Sequence, residues 1–527
     1  MEKGYLSIIL HAHLPFVRHP EYEDFLEERW LFEAITDTYL PLLAMIDGLI
    51  KKSIPFNLTI NISPTLASML EDNLLRGRYK KYLNKMIELS EKEITRTKFM
   101  PNFNETALMY YHRFSESKNL FFNTWGGNIL NAFKLFQEKS GLEIITCAAT
   151  HGYLPLLNIQ EESVKAQIRV GVRTYQRIFE TSPKGIWIPE CGYYEGLDKF
   201  LKDEGIKYFI LESHGILFSK PRPKFGVYSG YWTKNKVGVF GRDVETSKNV
   251  WSSVEGYPGD YNYREYYRDI GFDLDYDYIK PYISPTGSRI FTGIKYHKIT
   301  GPSEDKKPYV FKNALEKASD HAGNFMFNRE KQIEHLNSLM GKKPIIVSPY
   351  DAELFGHWWF EGIDWLNFLI RKTAFDQNTF KLINPSQYLK TYPKNQVIEP
   401  AGSSWGWKGY SDVWLCQDND WIYPHLHRAA ETMAKLANTS LSESPLRTRV
   451  LNQMARELLL AQSSDWPFIM KTQTFVSYAK KRVIEHLQNF YSLYYQLKKA
   501  EPDTKQLEKL ESDNNLFPDI SYSVFST

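Results

Sequence analysis

The chain has 527 residues, too many for one ordinary compact domain, and its 43% hydrophobic content suffices for a large core with a smaller companion. Its 65 basic and 62 acidic residues leave a formal charge of +3, which excludes the one-signed field that holds nucleic acid or a membrane surface. Three cysteines, Cys147, Cys191 and Cys416, form neither a disulfide framework nor a zinc-type pair, and the opening MEKGYLSIILHAHLPF is too short in its apolar run for a secretion signal, so a cytoplasmic protein is expected.

In chain order, the first signal is the apolar run Tyr5–Leu10. Runs of the same kind follow at Pro55–Ile60, Glu143–Cys147, Gly185–Ile188, Lys207–Leu211, Val237–Phe240 and Pro344–Val347, with Arg289–Tyr296 as a further strand candidate. Short, continuous β-branched and aromatic runs predict parallel strands buried on both faces. Helical stretches such as Leu26–Ile50 and Ser115–Ser140 lie between them, an alternation that predicts an α/β fold. Polar residues stand just past five of the runs: His11 and His13; Thr150 and His151; Glu190; Glu212 and His214; Ser348, Tyr350 and Asp351. In a barrel of seven or eight strands those ends converge on one mouth, whereas in an open sheet they spread along an edge. The barrel is the more economical reading.

Two stretches are too long for simple crossovers. Residues 61–113 predict an insertion, and 228–285, rich in Tyr, Asp and Gly, predict a long irregular connection at the mouth. Past about Pro400 the pattern becomes helical, with amphipathic segments at His425–Ala437, Arg447–Ser463 and Thr472–Lys498. Helix starts are expected at Ser444-Pro445 and near Asp465-Trp466-Pro467. Residues 1–400 are therefore assigned to a barrel with insertions and 401–527 to a helical C-terminal domain.

Two carboxylates carry the chemical argument. Glu190 in WIPEC and Asp351 in SPYDAELFGHWW each follow a strand and stand among large apolar side chains. A pair of carboxyl groups facing each other, one ionised and one held protonated, is what retaining glycoside cleavage needs. The plainer alternative for either one is a salt bridge, and Asp351 is also placed to cap a helix starting at Ala352. His11-Ala12-His13 alternates along an extended strand end, so both imidazoles point the same way. That geometry suits a barrel metal site of the amidohydrolase type, and it equally suits hydrogen bonding to sugar hydroxyls. The aromatic content of 15% includes two tryptophan groups, Trp405, Trp407 and Trp414 in SSWGWKGYSDVW, and Trp358 with Trp359. On loops such rings suit sugar stacking; buried, they would join the helical domain to the barrel. Three functions are thus open: a glycosidase, a metal-dependent amidohydrolase, and a non-catalytic glucan-binding module.

HAHLPF at 11–16, ATHGYLPLL at 149–157, WIPECGY at 187–193, SPYDAELFGHWWFEG at 348–362 and SSWG at 403–406 resemble, in order, the sequence regions of glycoside hydrolase family 57. The segment 241–275 resembles the family's branching-enzyme subgroup, to which the AmyC-type α-amylases are similar. The resemblance implies an incomplete (β/α)7 barrel, an inserted helical part and a C-terminal helical domain. It implies retaining action on α-1,4-glucans with no metal and no cofactor, with Glu190 as nucleophile and Asp351 as general acid/base. It also implies substrate contacts from His11, His13, His151, Trp405 and Trp414, and from Arg264; Trp358 is a further candidate from its loop. Members of this type divide between branching and hydrolysis, which differ in whether a glucan 6-hydroxyl or water attacks the intermediate. The loop Tyr228–Phe240, with its polar tip Lys234–Lys236, and the Trp405/Trp414 platform are the expected arbiters, and branching with appreciable hydrolysis is the expected outcome.

Overall fold

The computed structural model describes residues 2–252, 254–283, 287–303, 305–439, 444–499 and 501–526. Among these residues nine strands form one curled sheet: β1 (Gly4–Ala12), β2 (Leu58–Ile62), β3 (Leu142–Cys147), β4 (Gly185–Trp187), β5 (Tyr208–Leu211), β6 (Tyr231–Trp232), β7 (Gly238–Gly241), β8 (Ile345–Asp351) and β9 (Phe380–Leu382). Seven of them are parallel neighbours in the order β7-β5-β4-β3-β2-β1-β8. β6 adds to β7 as an antiparallel hairpin, and short β9 pairs with the start of β1. Among the described residues β7 and β8 share no ladder; the Asp243 N–H donates to the Val347 carbonyl at 2.9 Å across the opening. This is the incomplete (β/α)7 barrel that the resemblance implied.

The strands are continuous apolar runs because helices cover one face and barrel side chains fill the other: all nine residues of β1 are buried. Register then does the functional work. His11 of β1 lies opposite Asn61 of β2 on one side and Asp351 of β8 on the other, so one layer at the carboxyl ends holds all three.

One predicted strand is absent. Arg289–Tyr296 forms no strand, because a carboxylate replaces the ladder: Asp269 accepts from the N–H groups of Thr292 and Gly293, both at 2.9 Å, and Gly293 takes φ 95°. The predicted insertion at 61–113 is helical, with Pro64–Glu71, Asn73–Arg96 and Pro101–Lys118 in sequence. Ser63 and Asp72 cap the first two by accepting from Leu66 N–H and Leu75 N–H.

The second expected insertion divides differently. Residues 228–241 belong to the barrel wall, and the described residues between Trp251 and the long helix Phe311–Met340 are irregular apart from short turns such as Ile270–Asp273 and Tyr276–Ile279; the last two positions of the expected stretch, 284 and 285, lie outside the described residues. The hairpin tip Lys234–Lys236 turns at the amino end of β7, the end opposite Arg242 and the mouth. It is tied down there by Lys234 to Glu399 at 2.6 Å and Asn235 to Asp198 at 3.0 Å. The expectation that this tip shields the intermediate is therefore corrected. Removing Lys234–Lys236 should leave the ratio of transfer to hydrolysis unchanged, as counted by new α-1,6 linkages against new reducing ends.

The segment Leu26–Ile50 is helical from Glu28 to Lys51, with one π-helical turn at Ile35–Tyr39. C-terminal helices occupy Tyr423–Ala437, Pro445–Ala461, Asp465–Thr472, Val476–Lys499 and Thr504–Asp513. Thr472 ends a helix instead of starting one, since Gln473 after it is left-handed at φ 59°. Among the described residues no helix is long and apolar enough to cross a membrane.

Candidate active site

Glu190 sits on a strained turn just past β4. Both Glu190 and Cys191 hold positive φ, 60° and 50°, a conformation that side chains other than glycine seldom adopt. The turn is closed by Cys191 N–H to the Ile188 carbonyl at 3.0 Å and Gly192 N–H to the Pro189 carbonyl at 2.9 Å. Trp405 fastens it from outside, its backbone N–H on the Glu190 carbonyl at 2.9 Å and its indole N–H on Oε2 at 2.6 Å. The Ser464 hydroxyl reaches Oε1 at 2.9 Å. Burial pushes the Glu190 carboxyl up to about 7, against the pull of these two donors, which favour its ionised form.

Asp351 ends β8 and is treated differently. It makes no side-chain capping bond to the turn Ala352–Leu354, which removes the helix-cap alternative. Burial holds its carboxyl well above the ordinary value; the nearby Glu353 and Glu190 raise it further, and Arg242 opposes them. Glu353 is itself raised to about 7 by burial, while accepting from the Tyr39 hydroxyl and from His13 N–H at 3.3 Å. Tyr39 comes from the π-helical turn, where the extra residue re-aims the side chain. Both carboxyls are desolvated, but Glu190 is supplied with two donors that favour its ionised form, whereas Asp351 stands beside the negative charge of Glu353 and Glu190, which favours its protonated form.

The three histidines stack behind Glu190. His11 and His151 lie 5.0 Å apart, and His13 and His151 3.9 Å apart, with interplanar angles of 24° and 13°. Their nitrogens are occupied by the protein. His11 pairs with Asn61 at 2.6 Å and His151 at 3.0 Å; His151 also meets Ser464 at 2.8 Å; His13 meets Ser63 at 2.8 Å and Asp465 at 3.0 Å. The expected role of these imidazoles as direct sugar contacts is therefore revised, because their ring nitrogens are spent on each other and on the residues around Glu190. His13, His151 and Asp465 also bring potential metal-binding atoms within 4.8 Å of one another. Two nearly parallel rings in face-to-face contact direct their in-plane lone pairs side by side, not toward one point, which does not fit a tetrahedral ion.

Of the aromatic candidates, Trp405 lines the cleft, its ring edge-on to Trp187 and Trp251 with the Arg242 guanidinium 5.9 Å above it. Trp358 is half-exposed and stacks on Tyr266 at 4.3 Å, so it presents a free face on the mouth side of β8. Trp414 does not. It is 1% exposed, stacked on Tyr153 at 4.6 Å, and its carbonyl accepts from the Tyr423 hydroxyl. Arg264 is also buried, donating to the Tyr110 hydroxyl at 3.1 Å and the His357 carbonyl at 3.2 Å, with its guanidinium 4.0 Å from the Phe360 ring centroid. It braces the inserted segment. Both are corrected from sugar contacts to packing. Trp414→Ala should accordingly cost about 3–5 kcal/mol of stability, as a large buried ring does. Calorimetry should show the lower Tm, while transfer and hydrolysis fall together with their ratio unchanged.

Ser464, Asp465, Asn61, Glu353 and Arg242 were not singled out from the sequence. The only signal for the first two was the expected helix start near Asp465. Arg242 stands immediately after β7, the same signal that marked Glu190, and pairs with Glu212 after β5 at 3.1 Å.

The chain is similar to several known proteins. Residues 7–331 match the sequence model of glycosyl hydrolase family 57, and residues 425–525 match that of the 1,4-alpha-glucan branching enzyme C-terminal domain. The 1,4-alpha-glucan branching enzyme of Thermococcus kodakarensis is 34% identical over 98% of this chain and 77% of its own. A probable 1,4-alpha-glucan branching enzyme of Mycobacterium tuberculosis is 28% identical over 92% of this chain and 90% of its own. Among solved structures, the alpha-amylase AmyC of Thermotoga maritima superposes with TM-score 0.92 at 46% identity, covering 99% of each chain. The branching enzyme of Pyrococcus horikoshii superposes with TM-score 0.89 at 32% identity, covering all of this chain and 97% of its own.

Proposed function

Since the chain belongs to glycosyl hydrolase family 57, we propose that it cleaves α-1,4 bonds of α-glucans by a retaining mechanism and passes the glycosyl group mainly to a glucan 6-hydroxyl, with water as a lesser acceptor. The observation that carries the mechanism is the contrast between the two carboxyls: Glu190 accepts from Trp405 and Ser464, while Asp351 is desolvated beside Glu353. Ionised Glu190 attacks the anomeric carbon as Asp351 protonates the departing oxygen. Asp351, now a carboxylate, then takes the proton of the incoming hydroxyl, which attacks the Glu190 ester and restores the α-configuration.

Three observations support the rest of the reading. The branching-type C-terminal domain supplies Ser464 and Asp465 to the cleft, so it belongs to the catalytic unit. Trp405 and the Trp358/Tyr266 stack offer aromatic faces for sugar rings. The three free cysteines, two of them buried, suit a reducing cytoplasm.

Incubation with amylose, followed by counting new α-1,6 linkages and new reducing ends, tests the proposal. Linkages should exceed reducing ends. Reducing ends alone would make the enzyme a hydrolytic amylase, a reading favoured by the 46% identity to AmyC. Activity that required stoichiometric zinc would instead restore the amidohydrolase alternative.

A further inference from the structure

An unbroken hydrogen-bonded chain runs from Glu190 into the barrel. Glu190 Oε1 is 2.9 Å from Ser464 Oγ, which is 2.8 Å from His151 Nδ1; His151 Nε2 is 3.0 Å from His11 Nε2, and His11 Nδ1 is 2.6 Å from Asn61 Oδ1. The inner end is fixed. The Asn61 amide nitrogen donates to the carbonyls of Ile145 and Thr146 at 3.2 and 2.7 Å, so its oxygen faces His11 and demands a proton on Nδ1. Ser464 is held by its own N–H on the His151 carbonyl at 3.0 Å. His11, Asn61, His151 and Ser464 are all buried, and Trp187 covers His11 at 4.6 Å.

A serine hydroxyl has one proton and the contact between the two Nε2 atoms holds one, so with a single proton on His151 every bond along the chain points the same way. Two arrangements satisfy this with the same number of protons. In the first, a protonated Glu190 donates to Ser464, Ser464 to His151 Nδ1, and His151 Nε2 to His11. In the second, each of those three protons has moved one bond inward: Glu190 is a carboxylate accepting from Ser464, His151 carries its proton on Nδ1, and His11 carries one on each nitrogen.

We propose that Glu190–Ser464–His151–His11 is a proton relay that ionises the nucleophile by moving its proton onto the buried imidazoles, without exchange with solvent, and that Ser464 is the positioning residue on which the relay depends. The inference rests on Glu190 being the nucleophile. Burial opposes either charge alone, holding both imidazoles well below their ordinary range and the Glu190 carboxyl high; the relay creates anion and cation together, so each offsets the other. Once Glu190 is esterified and Asp351 has given its proton to the leaving oxygen, the imidazolium remains and balances the Asp351 carboxylate. The other titratable or charged groups facing this chain are His13 and Asp465, in contact with each other, Glu353 beside Asp351, and Arg242 paired with Glu212.

The test uses full-length enzyme. Ser464→Ala should lower kcat on amylose by about 10- to 100-fold with KM little changed, because it removes a hydrogen bond to the charged form. Its acid limb of kcat against pH should move to higher pH, and Ser464→Thr, which keeps the hydroxyl, should restore both. In ¹⁵N-histidine-labelled protein at pH 6, below the value of about 7 at which the folded site gives up its proton, His151 should carry its proton on Nδ1 in the wild type and on Nε2 in Glu190→Gln, where the amide donates to Ser464 and locks the first arrangement. An unchanged kcat and pH limb in Ser464→Ala, or the same His151 tautomer in wild type and Glu190→Gln, overturns the relay while leaving the nucleophile in place. The nucleophile assignment itself falls only if Glu190→Gln remains active.

Discussion

Glu190→Gln is expected to abolish both cleavage and transfer, a loss of about 10⁵-fold or more in kcat, because no covalent intermediate can form without the carboxylate. The fold should survive. The amide oxygen can accept from the Trp405 indole where Oε2 does, and the amide N–H₂ can donate to Ser464. Stability should even improve at neutral pH, and the sign follows from linkage. The carboxyl has an ordinary value of 4.5 and is raised to about 7 in the fold, so between those pH values the folded chain binds a proton that the unfolded chain has released. That stability is present below pH 4.5 and is lost as pH rises through 7, by up to about 3 kcal/mol. Glutamine cannot ionise and escapes the loss. Wild type and variant should therefore melt together near pH 4.5, with the variant melting higher at pH 8. Equal melting at both pH values would mean that the carboxyl is not desolvated; residual turnover above a trace would place the nucleophile elsewhere.

Asp351→Ala is expected to lower kcat on amylose by about a thousandfold, within the range assigned to general acid–base catalysis. The reason differs from that for Glu190. Without the acid, a sugar alkoxide is too poor a leaving group; without the base, the acceptor hydroxyl is not activated. An aryl α-glucoside that the cleft accepts has a good leaving group, so formation of the ester should recover with it. Azide needs no base and should then attack the Glu190 ester. Two inversions give the α-glycosyl azide, identifiable by its anomeric coupling. If poor and activated leaving groups suffered equally, or azide gave the β-product, Asp351 would not be the acid/base.

The barrel was legible in the sequence because strands buried on both faces leave unbroken apolar runs, and Glu190 and Asp351 were legible because each follows one. Legibility failed where partners are distant in sequence or where burial decides a residue's role. Ser464 meets Glu190 across 274 residues, and in SSDWP it reads as an ordinary helix start. Trp414 and Arg264 were expected as sugar contacts from the family resemblance, but nothing local reveals that one lies under Tyr153 and the other against Phe360. The Arg289–Tyr296 run has strand composition, and a single remote carboxylate, Asp269, takes the N–H groups that a ladder would use. The π-helical turn that aims Tyr39 at Glu353 is one residue out of step with helical periodicity, and no composition marks it.

The bond between Glu190 and Ser464 also sets a clock on biosynthesis. By the time β8 leaves the ribosome, the seven neighbouring parallel strands and both carboxyls have been made, yet the serine that completes the surroundings of Glu190 is still more than a hundred residues from synthesis. The full interval from Glu190 to Ser464 is 274 residues, or roughly 14–55 s at about 5–20 residues per second. Until those residues are made, Glu190 lacks one of its two side-chain donors. Placing Ser464 so far after Glu190 and Asp351 means that the surroundings of the proposed nucleophile are complete only when the C-terminal helices are in place.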